Sequence, residues 1–192
     1  MGCSPSPGTR TLRGECDFLA IATAEVGSIA ERRTDRLLDH SRSHGLPPFL
    51  VEDAGVNSGL MIVQYTQAAM VAENRRLAAP ASVDSIPTSA MQEDHVSMGW
   101  SAARKLRRSI DGLARVVAIE LLTSARGMDL RAPVQPGPVG FAVRAQLRAR
   151  VEGPATDRCL APEIAAAHEM VLDGSLLAAA ASAVSQAGGE LI

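Results

Sequence analysis

The residues best suited to chemistry sit together in one stretch, Ser85-Ile86-Pro87-Thr88-Ser89-Ala90-Met91-Gln92-Glu93-Asp94-His95-Val96-Ser97-Met98-Gly99. Gln92, Glu93, Asp94 and His95 place an amide, two carboxylates and an imidazole side by side where a helix is expected to begin. The positive end of a helix stabilises a carboxylate as an anion, whereas burial favours its neutral form, so a carboxylate between the two can work as a base. Metal ligation by Glu93, Asp94 and His95 is the weaker reading. Successive residues on a helix point in different directions, and no second His or Cys stands nearby at a ligand spacing. A capped helix with surface ion pairs accounts for the same four residues without any function. Asn57-Ser58-Gly59 can be read as cyclisable or as a helix cap, and capping explains it fully. His40, His44 and His168 are isolated and read as surface or packing residues.

Elements must hold such a loop, and the pattern predicts helices throughout. Phe18, Ala22, Val26 and Ile29 recur at steps of four, four and three within a helix over 15–39, with Leu19 and Ala30 on the same side. A second helix is expected from Asn57 or Ser58 to Ala79, stopped by Pro80. A loop over 80–95 follows, and long ordered loops tend to be functional. The longest helix is expected over 97–126, about 45 Å at 1.5 Å per residue. Its stripe is Ala102, Leu106, Ile110, Leu113, Val117 and Leu121, and Gly127 is its expected terminating cap. Shorter helices are expected over 141–151 (Phe141, Ala145 and Leu147 inward), 162–172 and 175–186. The expected organisation is a disordered leader over 1–14, a long-helix bundle segment over 15–131 and short C-terminal helices over 132–192.

Composition narrows the function classes. The 192 residues carry 19 Lys and Arg against 21 Asp and Glu, a net charge of -2, so there is no cationic excess to release phosphate counterions and no nucleic-acid partner is expected. No apolar run reaches the roughly 18 residues of a membrane span. Met1-Gly2-Cys3-Ser4-Pro5-Ser6 formally fits a lipidation pattern but has no polybasic or amphipathic support. Cys3, Cys16 and Cys159 are odd in number and far apart, which points to a reducing, cytoplasmic setting. About one residue in six is alanine and aromatics make up 3%. Thin helices of this kind pack closely but fill little volume, so their apolar stripes are expected to await other helices.

The run Ser82-Val83-Asp84-Ser85 leading through Pro87-Thr88-Ser89-Ala90-Met91-Gln92-Glu93-Asp94-His95-Val96-Ser97-Met98 closely resembles a signature of bacterial histidine ammonia-lyases, within the aromatic amino-acid lyases. The resemblance extends from about Asp17 to the C-terminus. It includes Glu31-Arg32-Arg33, Leu46-Pro47-Pro48-Phe49-Leu50, Gly55-Val56-Asn57-Ser58-Gly59-Leu60-Met61-Ile62, Ala118-Ile119-Glu120 and Asp129-Leu130-Arg131. It implies an all-α fold of long helices that associate as a homotetramer, with each site shared between subunits. It implies elimination of ammonia from L-histidine to give trans-urocanate, through a methylidene-imidazolone electrophile formed from an internal Ala-Ser-Gly. Glu93 matches the family's active-site glutamate, Gln92 is its neighbour by adjacency, and Asp94 and His95 are expected to hold the loop. Met91 stands where the family commonly has Asn.

The sequence contains no Ala-Ser-Gly: Ala81-Ser82 is followed by Val83, and Ala181-Ser182 by Ala183. The resemblance covers about the last third of a family chain. The expectation is therefore a C-terminal portion carrying the glutamate, with no cofactor of its own and no activity alone. Its partner would be a companion lyase chain, or a second copy through the long helices, and L-histidine would bind only in an assembled site. The alternative is a non-catalytic helical relic or interaction module that joins a full-length lyase.

Overall fold

The computed structural model describes residues 7–189. Among them there is no β-strand. Six α-helices follow in order: α1 Pro7–Leu38, α2 Met61–Leu77, α3 Gly99–Asp129, α4 Pro138–Arg148, α5 Ala161–Leu172 and α6 Ser175–Gln186, with one 3₁₀ turn at Pro48–Leu50. The all-α expectation holds. The chain divides into two compact units, one formed by residues through Ser28 with Ala69–Leu113, the other by Ile29–Ala68 with the chain from Ala114 onward.

Residues 7–14, expected in a disordered leader, belong to α1, while residues 1–6 and the lipidation pattern lie outside the described residues. Proline is compatible with a helix start, because the N–H it lacks would be unpaired there anyway.

In the first unit the helices meet through small and polar residues. Ala20, Ala24, Val71 and Ala102 are buried, together with Asn74 and Ser109. The Asn74 amide donates to the Ser109 carbonyl at 3.2 Å. Gly112 lies directly against it: a Cβ there would come within 3.1 Å of Asn74 Cγ and Nδ2 and closer still to Oδ1. The glycine costs helix propensity but lets α2 and α3 approach through this polar contact.

The expected apolar stripe of α1 faces the other way. Phe18, Leu19, Ile21, Val26 and Ile29 are exposed, Phe18 at 74%. Of the expected side only Ala30 is buried, together with Ala20, Thr23 and Ala24, which lie off the stripe. The periodicity was real, but small side chains form the inner seam because they allow helix axes to come close. On α3 the expected stripe holds in part: Ala102 is fully buried, Leu106, Leu113, Val117 and Leu121 are half-buried and Ile110 is 51% exposed, while Val116, Ala118 and Ile119 beside the stripe are fully buried.

In the second unit Ala118, Leu122 and Ala125 of α3 pack with Leu147, Val151, Ala167, Met170 and Leu176. Phe141 and Ala145 are exposed, so of the three α4 residues expected inward only Leu147 is buried. Gly127 is not the cap of α3, which continues to Asp129. A Cβ there would make ordinary contact with Leu46, Leu37 and Leu50. Arg126, 6% exposed, donates to the carbonyls of Leu50 and Ala155 at 2.8 and 3.0 Å and so binds two loops to α3. Burial lowers its pKa, and the Arg158 charge adds to the effect.

Candidate active site

Glu93 lies in the irregular segment between α2 and α3, within the first unit. Because α3 starts at Gly99, Gln92 to His95 stand in the loop ahead of the helix and not in its first turn. The electrostatic help expected from the helix end therefore does not reach Glu93 directly, since that effect fades within one turn. Glu93 is half-buried, while Met91, Gln92, Asp94 and His95 are exposed.

The main chain around Glu93 is a narrow turn. Glu93 N–H donates to the Thr88 carbonyl at 3.2 Å, and Thr88 N–H donates back to the Glu93 carbonyl at 3.0 Å. Gln92 N–H donates to the Ser89 carbonyl at 3.0 Å. Between them Ser89, Ala90 and Met91 all take left-handed backbone angles, with φ of 53°, 52° and 72°. Three such residues in a row without glycine are costly, so their surroundings must hold them in place.

Three side chains fasten the segment. Asp17 of α1, 4% exposed, accepts the N–H groups of Ala81 and Ser82 at 3.1 and 2.8 Å. Burial alone would push the Asp17 carboxyl up. Hydrogen bonds from the Ser82 side chain and from the two amides, with the charge of Lys105, outweigh burial and hold it below the ordinary aspartate value. Lys105 of α3 donates to the Ala79 carbonyl. Ser85 Oγ donates to the Val96 carbonyl at 3.2 Å and accepts the Val96 N–H at 3.0 Å.

The sequence assigns none of these three a role at the site: Ser85 stands in the stretch that carries Glu93 and Asp17 at the start of the resemblance, and no local pattern marks their contacts.

Asn57 and Ser58 do not cap α2 as expected. The carboxylate of Asp157, far along the chain, accepts the N–H groups of Ser58 and Gly59 at 2.7 and 2.8 Å. Asn57 instead donates to the Glu52 carbonyl at 3.2 Å. Gly59 is required there: its φ is +57°, and a Cβ would lie 2.6 Å from the Phe49 carbonyl oxygen. A cavity of about 580 Å³ opens beside this cap, lined by Ile62, Val63, Ile164, Arg115 and Arg158 among others. Among the described residues no three of His, Cys, Asp and Glu gather closely enough to hold a metal ion, and no single helix is long and apolar enough to cross a membrane.

Residues 10–149 match the family described as aromatic amino acid lyase. The chain belongs to the aromatic amino acid lyase family. It is 68% identical to the histidine ammonia-lyase of Streptomyces avermitilis over 165 residues, covering 85% of this chain and 32% of that protein. Against the histidine ammonia-lyase of Streptomyces coelicolor it is 66% identical over 167 residues, covering 86% and 33%. The crystal structure of histidine ammonia-lyase from Trypanosoma cruzi superposes with a TM-score of 0.85 at 38% identity, over 89% of this chain and 34% of that one. A tyrosine aminomutase from Streptomyces globisporus superposes equally well, at 0.86 and 34% identity, over 90% and 33%. The lyase fold is thus common to enzymes whose names differ in substrate and outcome. The chain spans about a third of the length of these relatives.

Proposed function

We propose that this chain supplies the glutamate-bearing segment of a histidine ammonia-lyase site, and that the electrophile of that site is supplied by other residues than these. The observation that carries the reading is Glu93: a half-buried residue on a main-chain turn closed by two backbone hydrogen bonds, inside the stretch that carries the family resemblance. The names of the relatives favour histidine as substrate and ammonia as a product, and the family resemblance implies trans-urocanate as the other.

The family's electrophile, a methylidene-imidazolone, arises from Ala-Ser-Gly. The residues of this chain do not fit that group: Ala81-Ser82-Val83 lies at the fastened root of the loop, and Ala181-Ser182-Ala183 lies within α6. What the chain contributes is a carboxylate on a main chain held in place, to contact substrate or to accept a proton. A positioned acid or base is worth about 10²–10⁴-fold in rate, and partial burial limits the competition from water. Gln92, adjacent but exposed, is a neighbour of the site through the turn it shares with Glu93.

A second reading rests on a different observation. The exposed apolar side of α1, with Phe18, Leu19, Ile21 and Val26, suits a helical partner. On that reading the chain is an interaction module that joins a lyase without taking part in its chemistry.

The test mixes the purified chain with a companion polypeptide carrying the Ala-Ser-Gly segment, adds L-histidine and follows urocanate absorbance. Turnover that falls by about 10²–10⁴-fold in Glu93→Gln, with helicity and native mass unchanged, supports the catalytic reading. A folded, associated mixture that makes no urocanate rejects it and favours the module.

A further inference from the structure

The turn that carries Glu93 is not held by its own two backbone bonds alone. Its tip passes through three consecutive left-handed residues, Ser89, Ala90 and Met91, so the turn works against backbone strain. The same turn is closed further back by a single side chain. Ser85 Oγ both donates to the Val96 carbonyl and accepts the Val96 N–H, doing the work of a pair of strand hydrogen bonds with one hydroxyl. Ser85–Val96 is thus a neck, and Thr88–Glu93 is the pairing just beyond it. Further back still, the buried Asp17 carboxylate holds the amides of Ala81 and Ser82, and Lys105 holds the Ala79 carbonyl. Polar contacts thus recur at three levels of one segment: at its root on two helices, at the neck, and at the main chain of Glu93.

We infer that Ser85 is a positioning residue for Glu93, closing the neck of its turn, and that Asp17 fixes the root from which the neck is built. The inference rests on the reading of Glu93 given above. Neither residue touches substrate. Ser85 acts by restricting where the Glu93 carboxylate can go, and displacement of a reacting group by about 1 Å can cost about a hundredfold in rate. Ser85 is half-buried on the loop, outside the helical seams, so loss of its hydroxyl loosens the turn and leaves α2 and α3 intact.

Two measurements test this on the full chain and on the assembled lyase. In the chain itself, Ser85→Ala should speed amide hydrogen exchange at Thr88, Glu93 and Val96 by roughly tenfold, the scale set by one or two lost hydrogen bonds. Amides within α2 and α3 should not change, and Ser85→Thr, which keeps the hydroxyl, should restore protection. Asp17→Asn should give the same local pattern at Ala81 and Ser82. In the lyase assembled with its companion, Ser85→Ala should lower kcat by about a hundredfold with KM nearly constant, and Ser85→Thr should recover most of it. Unchanged exchange at Thr88 and Glu93 in Ser85→Ala overturns the proposal. So does full kcat in Ser85→Ala when Glu93→Gln is inactive. Normal turnover in Glu93→Gln would instead remove the catalytic reading of Glu93, and with it the function of the neck. The exchange experiment tells these failures apart because it needs no turnover.

Discussion

Replacing Gly112 with alanine sets two physical effects of opposite sign against each other. On propensity alone, Gly112→Ala in the middle of α3 should stabilise the chain by about 1 kcal/mol. The structure predicts the reverse. The new methyl group would meet the Asn74 side chain, whose Cγ and Nδ2 lie 3.1 Å from the Cβ position and whose Oδ1 is nearer still. Asn74 is 1% exposed, and its amide donates to the Ser109 carbonyl. Moving it aside leaves a buried amide without a partner, at about 1–3 kcal/mol. Overpacking the seam adds about 1–3 kcal/mol. The net expectation is a loss of about 1–5 kcal/mol. With a urea dependence of about 2 kcal/mol per molar, the unfolding midpoint followed by circular dichroism should fall by about 0.5–2.5 M. Asn74→Ala in the same chain should remove the obstacle. The double variant should therefore lose less than the sum of the singles, with a coupling above about 1 kcal/mol. A midpoint that rises in Gly112→Ala would refute the close-approach account of this glycine.

Other expectations follow from burial and charge. Ile119→Ala should cost about 2–5 kcal/mol in urea unfolding, because Ile119 is fully buried. Ile110→Ala should cost far less than that in the isolated chain, since Ile110 is half exposed, and equal losses would contradict its outward position on α3. The Asp17 carboxyl is held below its ordinary value of 3.8, so its ionised form stabilises the fold at higher pH. That contribution should be complete above about pH 4 and disappear as pH falls through the lowered folded value. Asp17→Asn should therefore be less stable than the parent at neutral pH. The gap should narrow in acid, and a gap independent of pH would contradict the ionised contact.

How much of this was legible beforehand depended on distance along the chain. Helix periods are local, and the six helices could be placed from them; α6 runs from Ser175 to Gln186, as the pattern predicted. Which face of a helix turns inward is decided elsewhere. On α1 the large apolar side chains dominate the pattern, whereas the buried seam is built of Ala, Thr and Gly, which a hydrophobic pattern scarcely registers; on α3 the seam mixes Ala, Ser and Thr with Val116, Ile119 and Leu122. Gly127 reads as a terminator in the sequence because close packing and chain reversal favour the same residue, whereas α3 continues through it to Asp129. The Asp157 carboxylate at Ser58 and Gly59, and that of Asp17 at Ala81 and Ser82, join residues far apart in sequence, and no local window contains both partners. Glu93 was found through the resemblance of its surroundings. Its half-buried position and the bonds around it came only with the fold.

The inside-out dress of α1 bears on how this helix tolerates change. Where the inner seam is made of Ala20 and Ala24, the constraint is on volume: an added methylene is resisted even when it is greasy, and a hydroxyl of equal size, as at Thr23, is accepted if it bonds back to its own helix. On the outer side, at Phe18 and Val26, neither bulk nor polarity is constrained by packing within the chain. A saturation library of α1 selected for folding alone would sort the inner positions by size and leave the outer ones nearly indifferent. Selection for assembly should make the outer positions stringent as well.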